Sequence, residues 1–358
     1  MQEPAGPLFI PKRVIFTPQA LAYPLGARLW ETFSAQGIPV LKAAGQAAAR
    51  LIPGTTPAQV YREAKRTLVV GVRKVSRFET CRPSADFQLP LVSSCPGLCR
   101  YCYLHTRFGK HPYLRVYANT EEILEKAARL VAERLPAVTS FEASAAGDPL
   151  PTEPYTGALK KAIERFADLD GGRLRFATKY TGVEGLLSAR HGGRTRVRFS
   201  VNTEEAVRKW EGGTPSLKKR LEAAEAVAKA GYPAGFMIAP VFLLPGWQKA
   251  YGALLDRLAA AWRGWGVPEE ITAGGGEKEP SLTFEVVSHR FTVRAREAIT
   301  EIFPGTDLPL AEEDRSFRFG QFGYGKYVYS RELLGEMKEF FRAEIARKFP
   351  FARLEYAV

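Results

Sequence analysis

The stretch Cys95-Pro-Gly-Leu-Cys99-Arg-Tyr-Cys102-Tyr-Leu-His105 places three cysteines within eight residues. Three thiolates at C-x3-C-x2-C spacing can ligate three irons of a cubane cluster, which leaves the fourth iron open for an exogenous ligand. The spacing therefore predicts a 4Fe-4S cluster that takes part in chemistry on a small molecule.

The same stretch matches the signature of enzymes that use S-adenosylmethionine (SAM) for radical reactions. Tyr101, the residue before the last cysteine, is aromatic, as the pattern C-x3-C-x-aromatic-C requires. In such enzymes the open iron binds SAM and passes one electron to its sulfonium, and the released 5'-deoxyadenosyl radical abstracts an unactivated hydrogen. We expect the motif on a loop that follows a strand in residues 87–93.

A structural zinc site is the main alternative at this stretch. His105 follows Cys102 at x2 spacing and completes a Cys3His set, which is a common tetrahedral zinc site. A disulfide is disfavoured because three of the four cysteines are crowded together and no segment resembles an export signal. We therefore expect a reducing cytoplasm, in which an oxygen-sensitive cluster persists.

The composition indicates a globular protein with an excess of positive charge. The chain has 358 residues, of which 46% are hydrophobic and 25% charged, and a formal net charge of +13. It has no apolar run long enough to span a membrane, so we expect no membrane association. The charge favours a polyanionic partner such as nucleic acid, although a GC-rich or thermophilic genome produces the same excess of arginine.

Alternating strand and helix patterns follow the cysteine loop. Strands are predicted in residues 138–143, 174–178, 197–201, 234–240 and 282–287. Helices are predicted in residues 119–131, 157–167, 216–230 and 247–262, the first capped by Asn119 with Glu122 three residues on. This order implies right-handed crossovers and a parallel sheet. The predicted fold is thus α/β, an open partial (β/α)6 barrel whose ligands gather at the carboxyl ends of the strands.

Three regions are predicted along the chain. Residues 1–85 form an N-terminal accessory α/β region with a helix over 19–36, and residues 86–263 form the barrel. Residues 264–358 supply a connector, a strand, a hairpin and a terminal helix that complete the substrate site. The glycine- and glutamate-rich residues 264–280 are expected to be a flexible connector or insertion, and the alternating aromatic and cationic residues 315–329 predict the hairpin.

Several further blocks resemble spore photoproduct lyase, the radical-SAM family of endospore-forming bacteria. They are residues 68–74 (LVVGVRK), 110–117 (KHPYLRVY), 198–202 (RFSVN), 230–233 (AGYP), 289–292 (HRFT) and 325–327 (GKY). The resemblance runs from residue 8 to residue 356. It implies repair of 5-thyminyl-5,6-dihydrothymine, an ultraviolet lesion of DNA, back to two thymines. The adenosyl radical takes a hydrogen from C6 of the lesion, the methylene bridge fragments, and a hydrogen donor quenches the remaining thymine radical.

The family's donor is a cysteine in a Phe-Glu-Ala-x-Cys pattern, and this chain has Ala145 at that position. Three explanations are open. The first is that the chain is an engineered Cys-to-Ala variant. The second is that it is a natural paralogue that acts on another ultraviolet pyrimidine lesion or quenches its radical differently. The third is that it is a true lyase with a relocated thiol, for which Cys81 is the remaining candidate. The lost donor also leaves open a non-catalytic, cluster-containing lesion binder.

The resemblance also implies roles for other residues. Tyr101 and Tyr103 would relay a hydrogen atom toward SAM, with packing around the cluster as their alternative role. Residues expected to bind SAM are Asp148, Lys179, Ser200 and Asn202. Residues expected to contact DNA are His289, Arg290, Phe317, Arg318 and Lys326. The implied partners are ultraviolet-damaged DNA and an external electron donor such as a flavodoxin or ferredoxin, in the cytoplasm of a bacterial spore or germinating cell.

Overall fold

The structure is a computed structural model that describes residues 9–358 apart from 45, 46, 273, 275, 277, 314, 320–322 and 324. Its strands, in chain order, are β1 (Arg13–Phe16), β2 (Val40–Lys42), β3 (Thr67–Gly71), β4 (Thr80–Cys81), β5 (Ala85–Leu89), β6 (Val92–Ser93), β7 (Leu98–Cys99), β8 (Leu114–Tyr117), β9 (Thr139–Ala143), β10 (Gly172–Thr178), β11 (Thr195–Val201), β12 (Glu211–Gly212), β13 (Ala234–Val241), β14 (Glu270–Thr272), β15 (Lys278–Pro280), β16 (Leu282–Ser288), β17 (Arg315–Phe319), β18 (Gly325–Tyr329) and β19 (Arg353–Ala357).

Its α-helices, in chain order, are α1 (Pro24–Ala35), α2 (Ala47–Arg50), α3 (Pro57–Lys65), α4 (Leu104–Arg107), α5 (Thr120–Arg134), α6 (Glu153–Thr156), α7 (Ala158–Ala167), α8 (Glu184–Leu187), α9 (Glu204–Trp210), α10 (Leu217–Lys229), α11 (Trp247–Trp265), α12 (Val293–Ile302) and α13 (Arg331–Lys348). Short 3-10 helices span Pro18–Ala22 and Leu150–Thr152. None of the helices in the described part of the chain has both the length and the apolar character that crossing a membrane requires.

The large sheet has the strand order β19-β16-β13-β11-β10-β9-β5-β4. Strands β5, β9, β10, β11, β13 and β16 are parallel to their neighbours, β19 extends one edge in parallel, and β4 closes the other edge antiparallel. The six central parallel strands and their helices confirm the partial (β/α)6 barrel. Strands β16 and β19 come from residues 264–358, so that region also contributes to the barrel sheet. The boundaries between the three predicted regions stay predictions.

The interior of the barrel is charged, whereas its helix-facing side is apolar. Along β10, Leu174 and Phe176 are buried in the core that the helices cover, and Arg175 between them points to the other face, as strand geometry requires. Arg198 on β11, 1% exposed, donates to Glu142 and Glu285 and links β9 to β16. This ionic network lies on the inner face of β9, β11 and β16.

A second, five-stranded sheet has the order β2-β1-β3-β8-β6. Strands β1, β2 and β3 come from residues 1–85, whereas β6 and β8 come from the predicted barrel region. The predicted helix over residues 19–36 is wrong in its extent, since the 3-10 turn stops before Tyr23 and α1 starts at Pro24. Proline suits the first helical position because its missing N–H needs no partner there. Strand β6 follows β5 after a break at Pro90, and the cysteine loop follows β6, as expected.

Two local predictions are corrected by the structure. Residues 270–272 and 278–280 are not a flexible connector but an antiparallel pair, tied to the amino end of β11 by Arg196 and Glu279 at 3.2 Å. Asn119 precedes α5 without a side-chain capping bond. Its amide instead holds the backbone N–H and C=O of Arg73, both at 3.0 Å. The amide nitrogen of Asn119 also donates to the Glu122 carboxylate in α5, at 2.9 Å, so the side chain joins a distant loop to the helix without capping the helix backbone.

Candidate active site

The cysteine loop is fixed to the barrel at its first residue, Ser94. Ser94 is buried and has a positive φ of 63°, its hydroxyl donates to the Pro112 carbonyl at 2.8 Å, and it forms a bridge with Gly147 after β9. A Cβ on Gly147 would lie 2.5 Å from the Ser94 carbonyl oxygen, so only glycine fits. Lys65 donates to the Cys95 carbonyl at 2.9 Å. The positive φ of Ser94 is a strained backbone conformation for a residue other than glycine. Such a conformation persists where the surrounding structure fixes it, often beside functional groups.

Cys95, Cys99 and Cys102 line one cavity of about 480 Å³ at the carboxyl ends of the barrel strands. Cys81, the fourth cysteine, is not among the residues that line it. Three sulfurs around one space, with no fourth thiol, are the donor set that a cubane with one open iron requires. The residues present therefore fit the predicted cluster.

His105 supports the loop and is not positioned as a fourth ligand. Its Nε2 lies 2.9 Å from the Cys99 carbonyl oxygen, and its ring packs against Tyr61 and Phe303. Within the described ranges, no three His, Cys, Asp or Glu side chains are grouped so that they could hold a single metal ion. The geometry thus does not support the zinc alternative.

Three of the four predicted SAM-binding residues line the cluster cavity, and the fourth does not. Asp148, Lys179 and Ser200 are on its walls, and the Lys179 ammonium donates to the Ser200 hydroxyl. Asn202 is fully buried outside the cavity. Its amide donates to the Pro240 carbonyl at 2.8 Å, and its oxygen accepts from the Tyr251 hydroxyl at 3.0 Å. Its polar groups are used in joining β11 to β13.

Asp148 has little capacity left for a ligand. Its carboxylate accepts from the Thr178 hydroxyl, at 2.9 Å, and from the backbone N–H groups of Lys179, at 2.9 Å, and Leu150, at 3.2 Å. Burial raises the pKa of Asp148 to about 6, although the hydrogen bonds that its carboxylate accepts act to lower the pKa. The residue joins the carboxyl ends of β9 and β10 and so sets the position of Lys179.

Glu211 is a central residue that the sequence analysis missed. It accepts from the Tyr101 hydroxyl, lies 2.6 Å from the Arg220 guanidinium and 3.5 Å from the Lys179 ammonium, and pairs in β12 with Cys99 of β7. Burial alone would raise the pKa of Glu211, but the charges of Lys179 and Arg220 hold it below its ordinary value. Tyr101 and Cys99 are more than 100 positions away from it in the sequence, so no local motif could have identified their contact with Glu211.

Cys81 lies beside Ala145 in a second cavity of about 580 Å³. Tyr103 and Ala145 line both cavities, and the Tyr103 hydroxyl donates to the Ala145 carbonyl at 2.8 Å. Burial, with the nearby negative charge of Glu142, raises the pKa of the Cys81 thiol to about 12. The fourth cysteine is therefore a neutral thiol next to the position where the family has its donor.

His289 and Arg290 also line the cluster cavity. The Arg315 guanidinium lies 3.2 Å from Nδ1 of His289, and because guanidinium groups only donate, Nδ1 accepts and Nε2 carries the ring proton. Nε2 is buried without a hydrogen-bond partner among the described residues. Burial and then the Arg315 charge lower the pKa of His289 to about 3, which keeps the ring neutral.

The hairpin of β17 and β18 is joined to this wall through a bridge between Phe291 and Tyr327. Burial and the charge of Arg290 lower the pKa of Lys326, which places these two cations near each other. Phe317 is 50% exposed, and Arg318 is exposed opposite Lys326 in the hairpin. The aromatic residues Phe322 and Tyr324 of the same predicted hairpin lie outside the described residues.

Known proteins resemble this chain over its full length. The sequence profile of the spore photoproduct lyase family matches residues 9–358. The chain is 42% identical to spore photoproduct lyase of Bacillus subtilis over 356 residues, which cover 99% of both chains. It is 43% identical to spore photoproduct lyase of Clostridium acetobutylicum over 348 residues, 97% of this chain and 98% of that one.

Solved structures extend the similarity to the fold. A spore photoproduct lyase in complex with dinucleoside spore photoproduct has a TM-score of 0.92 and 42% identity, and the match covers 98% of this chain and 100% of that chain. A double mutant, with one cysteine changed to alanine and one serine to cysteine, has bound AdoMet and dinucleoside spore photoproduct and matches with the same values. Sequence, length and fold agree, and the chain belongs to the spore photoproduct lyase family.

Proposed function

We propose that this chain is a radical-SAM lyase that cleaves 5-thyminyl-5,6-dihydrothymine in DNA back to two thymines. As a member of its family it uses a 4Fe-4S cluster and SAM. The observation that carries the proposal is that Cys95, Cys99 and Cys102 share one cavity with Lys179 and Ser200. When bound, the cluster and SAM supply the 5'-deoxyadenosyl radical that takes a hydrogen from C6 of the lesion.

The cavity residues bind and orient the cofactor. Cys95, Cys99 and Cys102 are the proposed iron ligands. The Lys179 ammonium pairs with the carboxylate of SAM, and the Ser200 hydroxyl bonds to its ribose. The Glu211 carboxylate lies 3.5 Å from the Lys179 ammonium and helps to fix its position. Asp148 accepts a hydrogen bond from the Lys179 backbone N–H and so fixes the backbone. Asn202 has no part in this proposal.

Cys81 is the proposed hydrogen donor in place of Ala145. The thiol S–H bond breaks, its hydrogen atom goes to the thymine allylic radical, and a thiyl radical remains on Cys81. Tyr103, which lines the same cavity, would give its O–H hydrogen atom to the Cys81 sulfur, and Tyr101 would give its own O–H hydrogen atom to the Tyr103 oxygen. The hydrogen that restores Tyr101 would come from the methyl carbon of 5'-deoxyadenosine when that molecule is bound. The thiol must be protonated for this step, and its pKa of about 12 keeps it so.

One solved relative supports a donor that has moved. The double mutant with bound AdoMet and dinucleoside spore photoproduct lost one cysteine to alanine and gained one in place of serine. This chain also combines an alanine at the family's donor position with a cysteine in the neighbouring wall. A relocated thiol therefore explains the sequence without an engineered change or a different lesion.

The wall formed by His289 and the hairpin receives the DNA. A base must leave the duplex before chemistry can reach it. We assign the Nε2–H of His289 as a hydrogen-bond donor to a carbonyl of the lesion, and Arg290, Arg318 and Lys326 as contacts to phosphate. The exposed ring of Phe317 stacks on a neighbouring base.

The proposal also names a reductant and a compartment. Reduction of the cluster needs a one-electron donor, for which a flavodoxin or ferredoxin has suitable chemistry. The proposed location is the bacterial cytoplasm, of the spore or the germinating cell, where DNA and a reducing environment coincide.

Cofactor cleavage tests the proposed reaction. Protein reconstituted anaerobically with iron and sulfide is incubated with SAM, dithionite and dinucleoside spore photoproduct. We expect 5'-deoxyadenosine and repaired dinucleoside, with neither product from a Cys99→Ala control. Lesion binding without 5'-deoxyadenosine would identify a non-catalytic binder, and protein purified without air that lacks iron and sulfide would contradict the whole proposal.

Three variants test the donor. We expect Cys81→Ala to keep 5'-deoxyadenosine formation but to give side products from the unquenched thymine radical in place of clean thymine. The double variant Cys81→Ala with Ala145→Cys should restore clean repair, because the thiol returns to the family's position. Ala145→Cys alone should leave repair clean. Clean repair by Cys81→Ala would show that another group is the donor.

A further inference from the structure

A third cavity continues the space around Cys81 away from the cluster. The second cavity, which holds Cys81, shares Arg77, Phe78, Glu79 and Gln88 with a third one of about 400 Å³. The second cavity also shares Tyr103 and Ala145 with the cluster cavity. The three spaces therefore form one groove that runs from the cluster past the donor thiol to the loop after β3.

The outer part of this groove is strongly cationic. The set that we call the basic groove comprises Arg73, Lys74, Arg77, Arg82 and Arg107, which line the second and third cavities. Glu79 is the one acidic side chain among the residues that line these two cavities. It lies 3.3 Å from Arg73 and 3.5 Å from Arg107. Five positive charges against one negative charge leave an excess of four.

Two of these cations have no hydrogen-bond or ion-pair partner in the part of the chain that the structure describes. Lys74 and Arg77 are exposed and make no hydrogen bond or ion pair with the residues that the structure describes. An ammonium and a guanidinium held together on a groove wall repel each other. That arrangement is stabilised when an anion binds between them.

The backbone beneath these side chains is fixed. Asn119 holds both backbone groups of Arg73 at 3.0 Å, and the Lys126 ammonium donates to the carbonyl of Val75. Phe78 packs edge-on against Phe141 of β9, with ring centroids 5.1 Å apart. The groove is thus formed before a ligand arrives, and only the long cationic side chains need to be ordered.

We propose that the basic groove binds the phosphodiester backbone of the strand that flanks the lesion on one side. This inference rests on the proposed function, because a lesion beside Cys81 fixes where its neighbouring nucleotides must leave the site. Phosphate contacts position a strand without reading its sequence. An acidic electron-donor protein is the less suitable occupant, since the groove leads past Cys81, which the lesion covers during the reaction.

The test compares substrates with and without flanking nucleotides. The double variant Lys74→Gln with Arg77→Gln removes the two unpaired charges. Its control is Lys218→Gln with Lys278→Gln, at two side chains that are 78% and 75% exposed and do not line the groove. The ligands are the dinucleoside spore photoproduct, a single-stranded oligonucleotide that contains the same lesion, and an undamaged oligonucleotide of the same length.

We expect the groove variant to bind both oligonucleotides about tenfold more weakly, because two phosphate contacts are lost. The slope of log affinity against log salt should fall in magnitude by about 1.4, that is, two contacts on a single strand. Repair of the dinucleoside should match that of the unsubstituted protein. The control variant should change none of these values.

The other possible outcomes distinguish a failure of the basic groove from a failure of the proposed lyase function. Unchanged oligonucleotide affinity and salt slope would overturn the basic groove while the lyase activity stands. If the unsubstituted protein fails to repair the dinucleoside, the proposed function fails, and undamaged oligonucleotide binding still tests the groove. If oligonucleotide binding is unchanged but turnover slows only when a flavodoxin replaces dithionite, the groove is a reductant site and the inference is wrong.

Discussion

The two ends of the active site are built in different ways. At the cofactor end, comprising Lys179, Ser200, Glu211 and Arg220, the two charged groups Glu211 and Arg220 are fully buried, Lys179 is half-buried, and each of the three has an ion-pair partner. At the lesion end, comprising Cys81, Tyr103, Arg107 and Ala145, side chains are partly exposed, and Tyr103 is 54% exposed. The side chains of the cofactor end are therefore held in place by their own partners, whereas those of the lesion end, of which Cys81 lies on the edge strand β4, are more open to solvent.

The largest expected difference between the ends is in stability. Glu211→Gln removes the negative charge beside Arg220, which is fully buried, and an uncompensated buried charge costs about 3–5 kcal/mol of unfolding free energy. The matched change at the lesion end is Glu79→Gln, which breaks two exposed ion pairs and should cost less than about 1 kcal/mol. Urea unfolding of both variants measures the contrast, and equal losses would contradict it.

A smaller effect is expected for SAM affinity. Lys179→Met removes the proposed partner of the SAM carboxylate, and a hydrogen bond to a charged group contributes about 1.5–3 kcal/mol. The dissociation constant of SAM for the reconstituted protein should therefore rise roughly 10- to 150-fold. Lys209→Met, at an exposed lysine of α9, is the control and should bind SAM normally. Unchanged binding by the Lys179 variant would remove this residue from the cofactor end.

A weaker effect is expected on substrate binding at the wall that His289 and the hairpin of β17 and β18 form. His289→Ala removes the proposed hydrogen bond to a lesion carbonyl, which is worth about 1 kcal/mol. We expect the KM for dinucleoside spore photoproduct to rise about fivefold, with little change in kcat. Arg315→Gln should act in the same direction, since Arg315 fixes the ring tautomer that donates. A fall in kcat with unchanged KM would show that His289 acts in the chemistry instead of in binding.

The sequence predicts those parts of this site that depend on local pattern. The cysteine spacing and the barrel strands follow from local spacing and periodicity, whereas Lys179 and Ser200, which line the cluster cavity, were expected there from the family resemblance. Asn202 satisfies the same pattern, yet the structure uses its amide inside the core. Strand alternation alone does not say how far beyond the strand end a side chain reaches.

Long-range partners explain what the sequence does not reveal. Glu211 meets Tyr101 across 110 positions of the chain, and Arg315 meets His289 across 26. Cys81 is far from Ala145 in the sequence, and the pairing of β4 with β5 is what brings it to the cavity that Ala145 also lines. The sequence around β14 and β15 has a composition typical of a flexible segment, but the two strands pair with each other and Arg196 of β11 forms an ion pair with Glu279 of β15.

The smallest expected effect is an absence of pH dependence at the lesion end. An ordinary thiol with a pKa near 8.5 is about nine-tenths ionised at pH 9.5, and a thiolate has no S–H hydrogen to give. Burial raises the pKa of Cys81 to about 12, so the protonated donor persists as pH rises through 8.5 and is lost only near 12. The ratio of clean thymine to side products should therefore stay constant between pH 7 and 9.5, measured per 5'-deoxyadenosine formed. A fall with a midpoint near pH 8.5 would show that the donor thiol is exposed to solvent, and the contrast between the two ends would then extend to the thiol itself.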